Sequence, residues 1–287
     1  MEMKLLSAAA IRRCIIADPG QVIISADFDQ MQMRIAAALA GETAMIEAAK
    51  KGESLHLTAA NRLFGLDHTP DQSKLSKNIN FTWLFAGGAK TMADRYSISV
   101  GEAIDLIKDY EKAFPRLAEF KRRVTQDIIR QALSPTEFKI FRQLRSRMYN
   151  YRSDTPQGRS ARRAIQVELD RLCYRKIGWV ETPYGRRIPV DISKAYAAIN
   201  YLIQSLERDL FGEALLRVMD DGECNPCVLL PVHDELLGQA PRDDAEYYAA
   251  RFAEIMTHEF MGVPMTAAGQ VYGKSWGHGY LKNKERK

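Results

Sequence analysis

Two apolar stretches that lie far apart in the chain each lead to an aspartate. VIISADFDQ carries Asp27, and VLLPVHDELL turns at Asp234. Both stretches have the composition of a strand that is buried in a sheet. If these strands pair, their carboxylates share one site, and a pair of carboxylates is the oxygen donor set that two magnesium ions need. Taken alone, either aspartate is more often a turn or cap residue, so the prediction depends on the pair.

The pattern along the chain predicts a sheet that is assembled from both ends, with helices between. Residues 22–27 are predicted to form a central strand, because apolar residues occupy both of its faces. The Met- and Ala-rich segment that follows predicts a helix ending near Gly41, and helical patterns then continue from residue 44 to about 176. After them we predict a hairpin at 178–190, a long helix at 193–221, strands at 227–232 and 235–240, a helix at 243–260 and a last strand at 264–273. The fold class is therefore α+β.

Composition indicates an ordered globular protein, since 46% of its 287 residues are hydrophobic and can form a substantial core. No run reaches the ~18 apolar residues of a membrane span, and the N-terminus lacks the apolar segment of a signal peptide. We therefore expect a cytoplasmic protein with no membrane partner. Cys224 and Cys227 form a Cys-x-x-Cys pair. A zinc site is an alternative there, but no second ligand pair follows, which favours a reduced turn before a strand.

Positive charge is concentrated in the middle of the chain. Residues 121–187 contain 17 Lys and Arg against 6 Asp and Glu, a charge of 17 − 6 = +11, so the remainder of the +5 chain carries 5 − 11 = −6. Clustered Lys and Arg bind phosphate backbones through counterion release. The stretch therefore suggests a polyanionic partner, although a solvated helical face has the same composition.

A lysine and two aromatic residues recur every four positions in the predicted helical region: Lys77, Phe81 and Phe85. This spacing places them along one helix face, where a phosphate tail and a flat base can dock together. An aromatic stripe is usually part of a core. Burying the lysine ammonium without a partner is costly, however, and this favours a nucleotide-binding face.

These stretches resemble motifs A, B and C of the family A DNA polymerases, the group of bacterial DNA polymerase I and many phage replicative enzymes. Motif A in that family reads approximately DYSQIELR, and this chain has DFDQMQMR at residues 27–34. Motif B has the pattern K-x-x-N-F-x-x-x-Y-G, and KNINFTWLFA runs from Lys77 to Ala86. Motif C, VHDE, is intact at residues 232–235. Order and spacing also match, so the joint signal is stronger than any single motif.

Further segments extend the resemblance to about residues 10–280. GESLHLTAANRLFG is similar to a family segment whose histidine approaches the incoming triphosphate, which implies that role for His56. AAINYLIQ resembles A-A-I-N-x-P-I-Q, whose asparagine and glutamine face template and primer, which points to Asn200 and Gln204. The resemblance implies a right-hand polymerase fold with an antiparallel palm sheet. We expect a first palm part at 1–42, a mostly helical fingers insertion at 43–190 that includes the basic stretch, and a second palm part at 191–287.

The resemblance also implies a role for each matched residue of the three motifs. Asp27 and Asp234 would hold two Mg²⁺ ions, with the Phe28 carbonyl as a further ligand. Lys77 would contact the triphosphate and donate a proton to the leaving pyrophosphate. The other implied positions are Phe81 near the sugar of the incoming nucleotide, Phe85 near the templating base, His233 at the primer terminus and Glu235 near the metals.

Three positions depart from the family pattern. The motif A glutamate, which lines the sugar pocket and helps to exclude ribonucleotides, is Gln32, so the bulk is kept and the charge is lost. The arginine expected four residues before the motif B lysine is Ser73, with Lys74 beside it. Phe85 replaces a tyrosine, which removes a hydroxyl and leaves the stacking surface.

Family members carry a thumb, and usually an exonuclease domain, before motif A, whereas 26 residues precede Asp27 here. We therefore expect both domains to be absent from this chain; the alternatives are that a separate upstream polypeptide supplies them, or that the gene is split or truncated. The predicted function is that of a DNA-directed DNA polymerase module, which acts on dNTPs and primer-template DNA in replication or repair. The alternative is a non-catalytic DNA-binding remnant or a split-polymerase subunit that needs its partner. A metal nuclease also uses paired carboxylates but leaves Lys77 and the aromatic stripe unexplained.

Overall fold

The computed structural model describes residues 8–85, 87–151 and 155–278. Its helices are α1 (Ala8–Arg13), α2 (Met31–Ala40), α3 (Thr43–Lys50), α4 (Leu55–Phe64), α5 (Pro70–Leu84), α6 (Ala89–Tyr96), α7 (Val100–Ala113), α8 (Pro115–Ala132), α9 (Pro135–Tyr149), α10 (Pro156–Cys173), α11 (Ala198–Asp220) and α12 (Ala245–Met256). Its strands are β1 (Gln21–Phe28), β2 (Ile177–Glu181), β3 (Arg187–Asp191), β4 (Val228–Val232), β5 (Glu235–Pro241), β6 (His258–Phe260), β7 (Val263–Met265) and β8 (Ala267–Gly273). Short 3-10 helices occupy Ile192–Ala197, Asn225–Cys227 and Arg242–Asp244.

Four strands form one antiparallel sheet in the order β4-β5-β1-β8. β1 takes a central position because residues 22–26 are buried on both faces. Its register sets Asp27 opposite Glu235 of β5 and opposite Ala268 of β8. The predicted central strand and the assembly of the sheet from both ends of the chain are confirmed.

Helix α12 packs against β1 and β8. The close approach to β8 depends on Gly269, because a Cβ at that position would overlap the carbonyl group of Ala249. Further along the chain, helix α2 ends at Ala40, just before Gly41, which adopts φ 64°, a conformation that glycine takes without steric cost. The predicted end of this helix near Gly41 is confirmed.

The β4–β5 hairpin turns through two residues, His233 and Asp234, because Val232 pairs directly with Glu235. The predicted strands and their tight connection are confirmed. The short 3-10 helix Asn225–Cys227 leads into β4. This helix is the turn that the sequence predicts before the strand.

Capping explains where several helices of the middle region begin. Thr69, Ser99 and Ser134 each accept a hydrogen bond from the backbone N–H three residues on, and the Gln or Glu at that position accepts one from the cap residue's own N–H. Proline lies in the first turn of α5, α8, α9 and α10, where its missing N–H has no helical partner to lose. The predicted run of helices from residue 44 to about 176 is confirmed.

The hairpin of β2 and β3 packs against α8. Gly178 makes this contact possible, since a Cβ there would overlap the carbonyl of Ile128. The long helix that follows, α11, buries four side chains that recur on one side at helical spacing, which are Ile199, Ile203, Leu206 and Leu210.

The predicted helix at 243–260 is too long. α12 ends at Met256, and β6 and β7 form a separate hairpin whose turn has φ 49° at Met261 and φ 77° at Gly262. Two consecutive positive φ angles are the signature of a type I′ turn, which matches the twist of paired strands. The last predicted strand, 264–273, is therefore divided between β7 and β8.

The chain divides into two compact units. One comprises the residues up to Ala38, Met45–Leu55 and the residues from Glu207 onward, and it contains the four-stranded sheet. The other comprises Leu39–Ala44 and His56–Leu206 and contains α5 to α10 with the β2–β3 hairpin. The assignment of palm and fingers, with boundaries after residues 42 and 190, stays a prediction. Within the described ranges, no helix has the length and apolar character needed to cross a membrane.

Candidate active site

The backbone segments of two predicted metal ligands meet where β1 ends and the β4–β5 turn leads into β5. Asp27 is the penultimate residue of β1, and its direct partner on β5 is Glu235. The Phe28 N–H donates to the Asp234 carbonyl oxygen at 3.3 Å. The backbone segments of the two predicted metal-binding aspartates are thus adjacent, although 234 − 27 = 207 positions separate them in the sequence.

The environment of Asp234 suits a bound cation. Burial raises the pKa of its carboxyl group, and a backbone hydrogen bond and the nearby His233 lower it only in part. No Lys or Arg of the described residues is among the groups that act on this carboxyl. A partly buried carboxylate without a cationic side chain favours a hard metal ion as its partner.

Glu235 accepts a hydrogen bond from a side chain of the same unit. The Tyr272 hydroxyl donates to its Oε1 at 2.9 Å. Burial raises the pKa of Glu235, and the hydrogen bond from Tyr272 lowers it in part. Its place near the metals stays a prediction.

The described part of the chain contains no group of three or more His, Cys, Asp or Glu side chains that could hold a metal ion. A magnesium site would therefore combine the carboxylates of Asp27 and Asp234 with backbone oxygens, such as the Phe28 carbonyl, and with water. Cys224 and Cys227 are buried free thiols, and burial raises the pKa of both.

Arg34 of α2 ties the segment after β1 to β7. Its guanidinium donates to the Asp29 carbonyl at 2.8 Å and to the Pro264 carbonyl at 2.7 Å, and it pairs with the Asp29 carboxylate at 3.0 Å. These bonds fix the backbone at Asp29, directly after Asp27 and Phe28, so Arg34 holds the end of β1 in place.

Gln32 is bound to a residue that the sequence analysis missed. Its Nε2 donates to both carboxylate oxygens of Glu207, at 2.9 and 3.1 Å. Glu207 lies on α11 and is only 7% exposed. Helical spacing was the available signal, because Glu207 falls four residues after the buried Ile203 and four before the buried Phe211.

In the other unit, two predicted nucleotide-facing residues share a face of α5. The rings of Phe81 and Phe85 are parallel to within 6°, with centroids 6.0 Å apart. Phe85 is the C-cap residue, and its N–H donates to the Phe81 carbonyl. Lys77 is exposed one turn before Phe81. The last motif B residue, Ala86, lies outside the described residues.

His56 lies beside this face. Its ring centroid is 5.2 Å from that of Phe81, and Asn80 Nδ2 is 3.1 Å from His56 Nδ1. An Asn80 amide that donates to Nδ1 keeps the imidazole proton on Nε2, and an Nε2–H is a donor that a phosphate oxygen accepts. Asn80 is a second residue that the sequence analysis missed.

The remaining candidates of this unit lie on two helices. Ser73 contacts His68 Nδ1 through its hydroxyl at 3.0 Å, whereas Lys74 is exposed. On α11, Asn200 is half-buried and Gln204 is exposed. The sites of the two units are thus each formed from residues that are distant in sequence.

The family model for DNA polymerase family A matches residues 3–278. The chain belongs to DNA polymerase family A. This finding confirms the resemblance drawn from motifs A, B and C and the predicted α+β polymerase fold.

Relatives of this family A chain include phage and bacterial proteins. It is 31% identical over 272 residues to the DNA polymerase of Mycobacterium phage D29, a match that covers 94% of this chain and 37% of that protein. It is 26% identical over 283 residues to the DNA polymerase I of Chloroflexus aurantiacus, covering 93% of this chain and 25% of that protein. The family A chain thus spans a minor part of the length of these relatives.

A solved structure has the same fold as this family A chain. The POL domain of Pol1 from M. smegmatis, in complex with DNA primer-template and dNTP, matches with a TM-score of 0.69 at 22% sequence identity. The match covers 97% of this chain and 44% of that chain.

Proposed function

We propose that this chain is the polymerase module of a DNA-directed DNA polymerase, which transfers nucleotides from dNTPs to a primer 3′ end on a template strand. The observation that carries the proposal is the pairing of β1 with β5, which sets Asp27 beside the Asp234 turn in a chain of family A. Asp27, Asp234 and the Phe28 carbonyl would hold two Mg²⁺ ions. When bound, the ions would make the primer 3′-hydroxyl more acidic and would neutralise charge on the leaving pyrophosphate.

Residues of the α5 face bind the incoming nucleotide. Lys77 contacts the triphosphate and donates a proton to the leaving pyrophosphate as a general acid. His56 donates from Nε2 to a phosphate oxygen. Phe81 packs near the sugar, and Phe85 stacks near the templating base. The stacked arrangement of the two rings and the exposure of Lys77 support these roles.

Three further residues face the DNA. Asn200 and Gln204, which are one turn apart on α11, contact template and primer. His233 reaches the primer terminus, and its exposed position on the turn supports this role.

Primer-template DNA is the proposed partner, and an arginine-rich groove supports this proposal. The groove has a volume of about 640 Å³ and lies among α8, α9, α10 and the 3-10 helix Ile192–Ala197. Guanidinium groups bind phosphates, and exposed rings stack on bases, which together is the chemistry of single-strand binding. We assign the groove to the unpaired template strand. Its arginine and aromatic lining residues are Arg122, Arg130, Arg142, Arg145, Phe138, Phe141, Tyr149 and Tyr196.

We also propose that full activity requires polypeptide equivalent to the rest of the relatives' length. The D29 relative is matched over 37% of its length. Grip on duplex DNA depends on many backbone contacts, and the remaining polypeptide would contribute them from the same chain or from a separate one.

Primer extension tests the enzymatic proposal. The chain is assayed with magnesium, four dNTPs and a primer-template, alone and together with the polypeptide that completes the relatives' length. We expect extension, and we expect Asp234→Asn to slow it on the order of 10²- to 10³-fold through lost charge stabilisation. Asp243→Asn, on the exposed 3-10 helix after β5, is the matched control and leaves the rate unchanged.

The non-catalytic alternative gives a different outcome. A DNA-binding remnant binds primer-template in a fluorescence anisotropy assay but adds no nucleotide, with or without the completing polypeptide. That result would end the enzymatic proposal.

A further inference from the structure

Glu207 is a buried acid whose hydrogen bonds are made by a side chain 175 positions away. It lies on the buried face of α11, and Gln32 Nε2 donates to both of its oxygens at 2.9 and 3.1 Å. Glu42, another buried acid of the described residues, instead accepts from the backbone N–H groups of Arg116 and Leu117. Among the described residues, the side-chain hydrogen bonds to Glu207 thus come from a single amide group.

The bond to Glu207 sets the direction of the Gln32 amide. An ionised carboxylate only accepts hydrogen bonds, so the amide NH₂ must face it and the amide oxygen must face away. Gln32 Oε1 is buried, and no donor in the described part of the chain bonds to it. A buried acceptor without a donor is unfavourable until a hydroxyl or N–H group reaches it.

The pair of Gln32 and Glu207 lies near the turn formed by His233 and Asp234. Burial raises the pKa of Glu207, the negative charge of Asp234 raises it further, and His233 lowers it, so the carboxyl of Glu207 lies within electrostatic range of both turn residues. Gln32 is the second residue of α2 and lies five positions after Asp27 in the sequence. The unpartnered oxygen therefore lies in the same unit as the proposed metal ligands.

We propose that Glu207 is the positioning residue of Gln32, and that the pair presents Gln32 Oε1 as a hydrogen-bond acceptor for a sugar hydroxyl of the incoming nucleotide. The inference rests on the proposed polymerase function and adds a specificity-determining pair to it. Gln32 is the residue in contact with the substrate, and Glu207 acts through it. The family has a glutamate at the position of Gln32, and Glu207 of α11 thereby supplies the carboxylate that this chain lacks there.

Single-nucleotide incorporation with three substrates tests the pair. Rates are compared for a dNTP, the matching ddNTP, which lacks the 3′-hydroxyl, and the matching rNTP, which adds a 2′-hydroxyl. We expect Glu207→Ala to change the ddNTP-to-dNTP ratio or the rNTP-to-dNTP ratio about 10-fold, because a site built to bond a hydroxyl discriminates strongly by it. The first ratio identifies the 3′-hydroxyl as the donor, and the second identifies the 2′-hydroxyl.

A double-mutant cycle separates positioning from general damage. Gln32→Ala should change the same ratio, and the Gln32→Ala/Glu207→Ala double variant should be no worse than Gln32→Ala alone, since Glu207 acts only through Gln32. Glu207→Gln, which can still accept from the Gln32 amide, should recover part of the selectivity. Glu213→Ala, at an exposed position of the same helix, is the control. Ratios within twofold of wild type in both Ala variants would overturn the inference.

A binding measurement keeps this test independent of catalysis. The rise in melting temperature on adding each triphosphate is measured for wild type and Glu207→Ala. The pair predicts that wild type separates the three nucleotides and that the variant separates them less. If wild type fails to incorporate any nucleotide both alone and with the completing polypeptide, the polymerase proposal fails, whereas equal melting shifts for all three nucleotides in wild type would reject the pair itself.

Discussion

At the scale of single residues, the turn of the β4–β5 hairpin carries a mark of function. His233 adopts φ 60°, a left-handed conformation that costs an L-residue roughly 1 kcal/mol or more. A two-residue hairpin with one positive φ at its first turn position favours glycine there. The chain has histidine at this strained position beside Asp234, and the proposed contact of its imidazole with the primer terminus explains why glycine is not used.

Replacing this histidine with glycine should separate stability from activity. We expect His233→Gly to raise the free energy of unfolding by about 0.5 kcal/mol, because relief of the left-handed strain exceeds the added entropy of the unfolded chain. Nucleotide incorporation should fall about 10-fold through poorer positioning. Urea unfolding and primer extension measure the two effects.

Ser97→Gly provides the control, since Ser97 is also left-handed, with φ 55° at the exposed C-cap of α6. It should gain stability without losing activity. An unchanged incorporation rate in His233→Gly would contradict the role assigned to His233.

Lys121 of α8 should make stability depend on pH above neutrality. Its Nζ donates to the Trp83 carbonyl at 2.9 Å and lies 4.1 Å from the centroid of the Trp83 ring. Burial lowers the pKa of Lys121 to about 8, and the charge of Glu111 offsets this only in part. Because the folded pKa lies below the unfolded value, the unfolded chain binds more protons between about pH 8 and 10.5, and stability rises with pH in that window.

Urea unfolding of wild type and Lys121→Met at pH 7 to 10 measures this effect. As pH rises, the free energy of unfolding of wild type should increase relative to that of Lys121→Met by on the order of 1 kcal/mol. Lys112→Met, at an exposed position of α7, should show no such shift. A difference that stays constant with pH would show that Lys121 titrates normally.

At the scale of helices and strands, the sequence predicts what local chemistry determines. The apolar run of β1 and the tight β4–β5 turn are local signals, and both elements form as predicted. The end of α12 was mispredicted because Met261-Gly262 was not recognised as a type I′ turn, and the helical propensity of the preceding residues concealed it. Contacts such as Gln32 to Glu207 join residues far apart in sequence, and no periodicity identifies the partner.

The groove formed by α8, α9 and α10 gives a prediction at the same scale. We expect Arg142→Ala/Arg145→Ala to weaken the binding of a single-stranded DNA overhang and to reduce the slope of log K against log salt by roughly 1.4, about 0.7 for each lost phosphate contact. Fluorescence anisotropy at several salt concentrations measures both quantities.

The matched control removes two cations elsewhere. Lys50→Ala/Arg242→Ala lowers the total charge equally at exposed positions of the unit that contains the sheet. It should change the salt slope much less than the groove variant. Equal slopes for the two double variants would mean that the groove does not bind the template strand.

At the scale of the whole molecule, the excess of positive charge and the paired aspartates belong to different compact units. The excess of +11 in residues 121–187 falls within one compact unit, and the sheet with its paired aspartates falls within the other. The sheet requires pairing between strands some 200 positions apart, a non-local contact that is expected to form late and slowly in folding. The paired aspartates therefore exist only when the chain has closed its sheet.

The central claim is that Asp27 and Asp234 form one two-metal site, and counting bound Mn²⁺ by electron paramagnetic resonance tests it most directly. The chain is titrated in the presence of primer-template and a non-hydrolysable dNTP. We expect two tightly bound Mn²⁺ ions in wild type and in the Asp243→Asn control, and at most one in Asp27→Asn or Asp234→Asn. Two bound ions in both aspartate variants, or none in wild type, would contradict the claim.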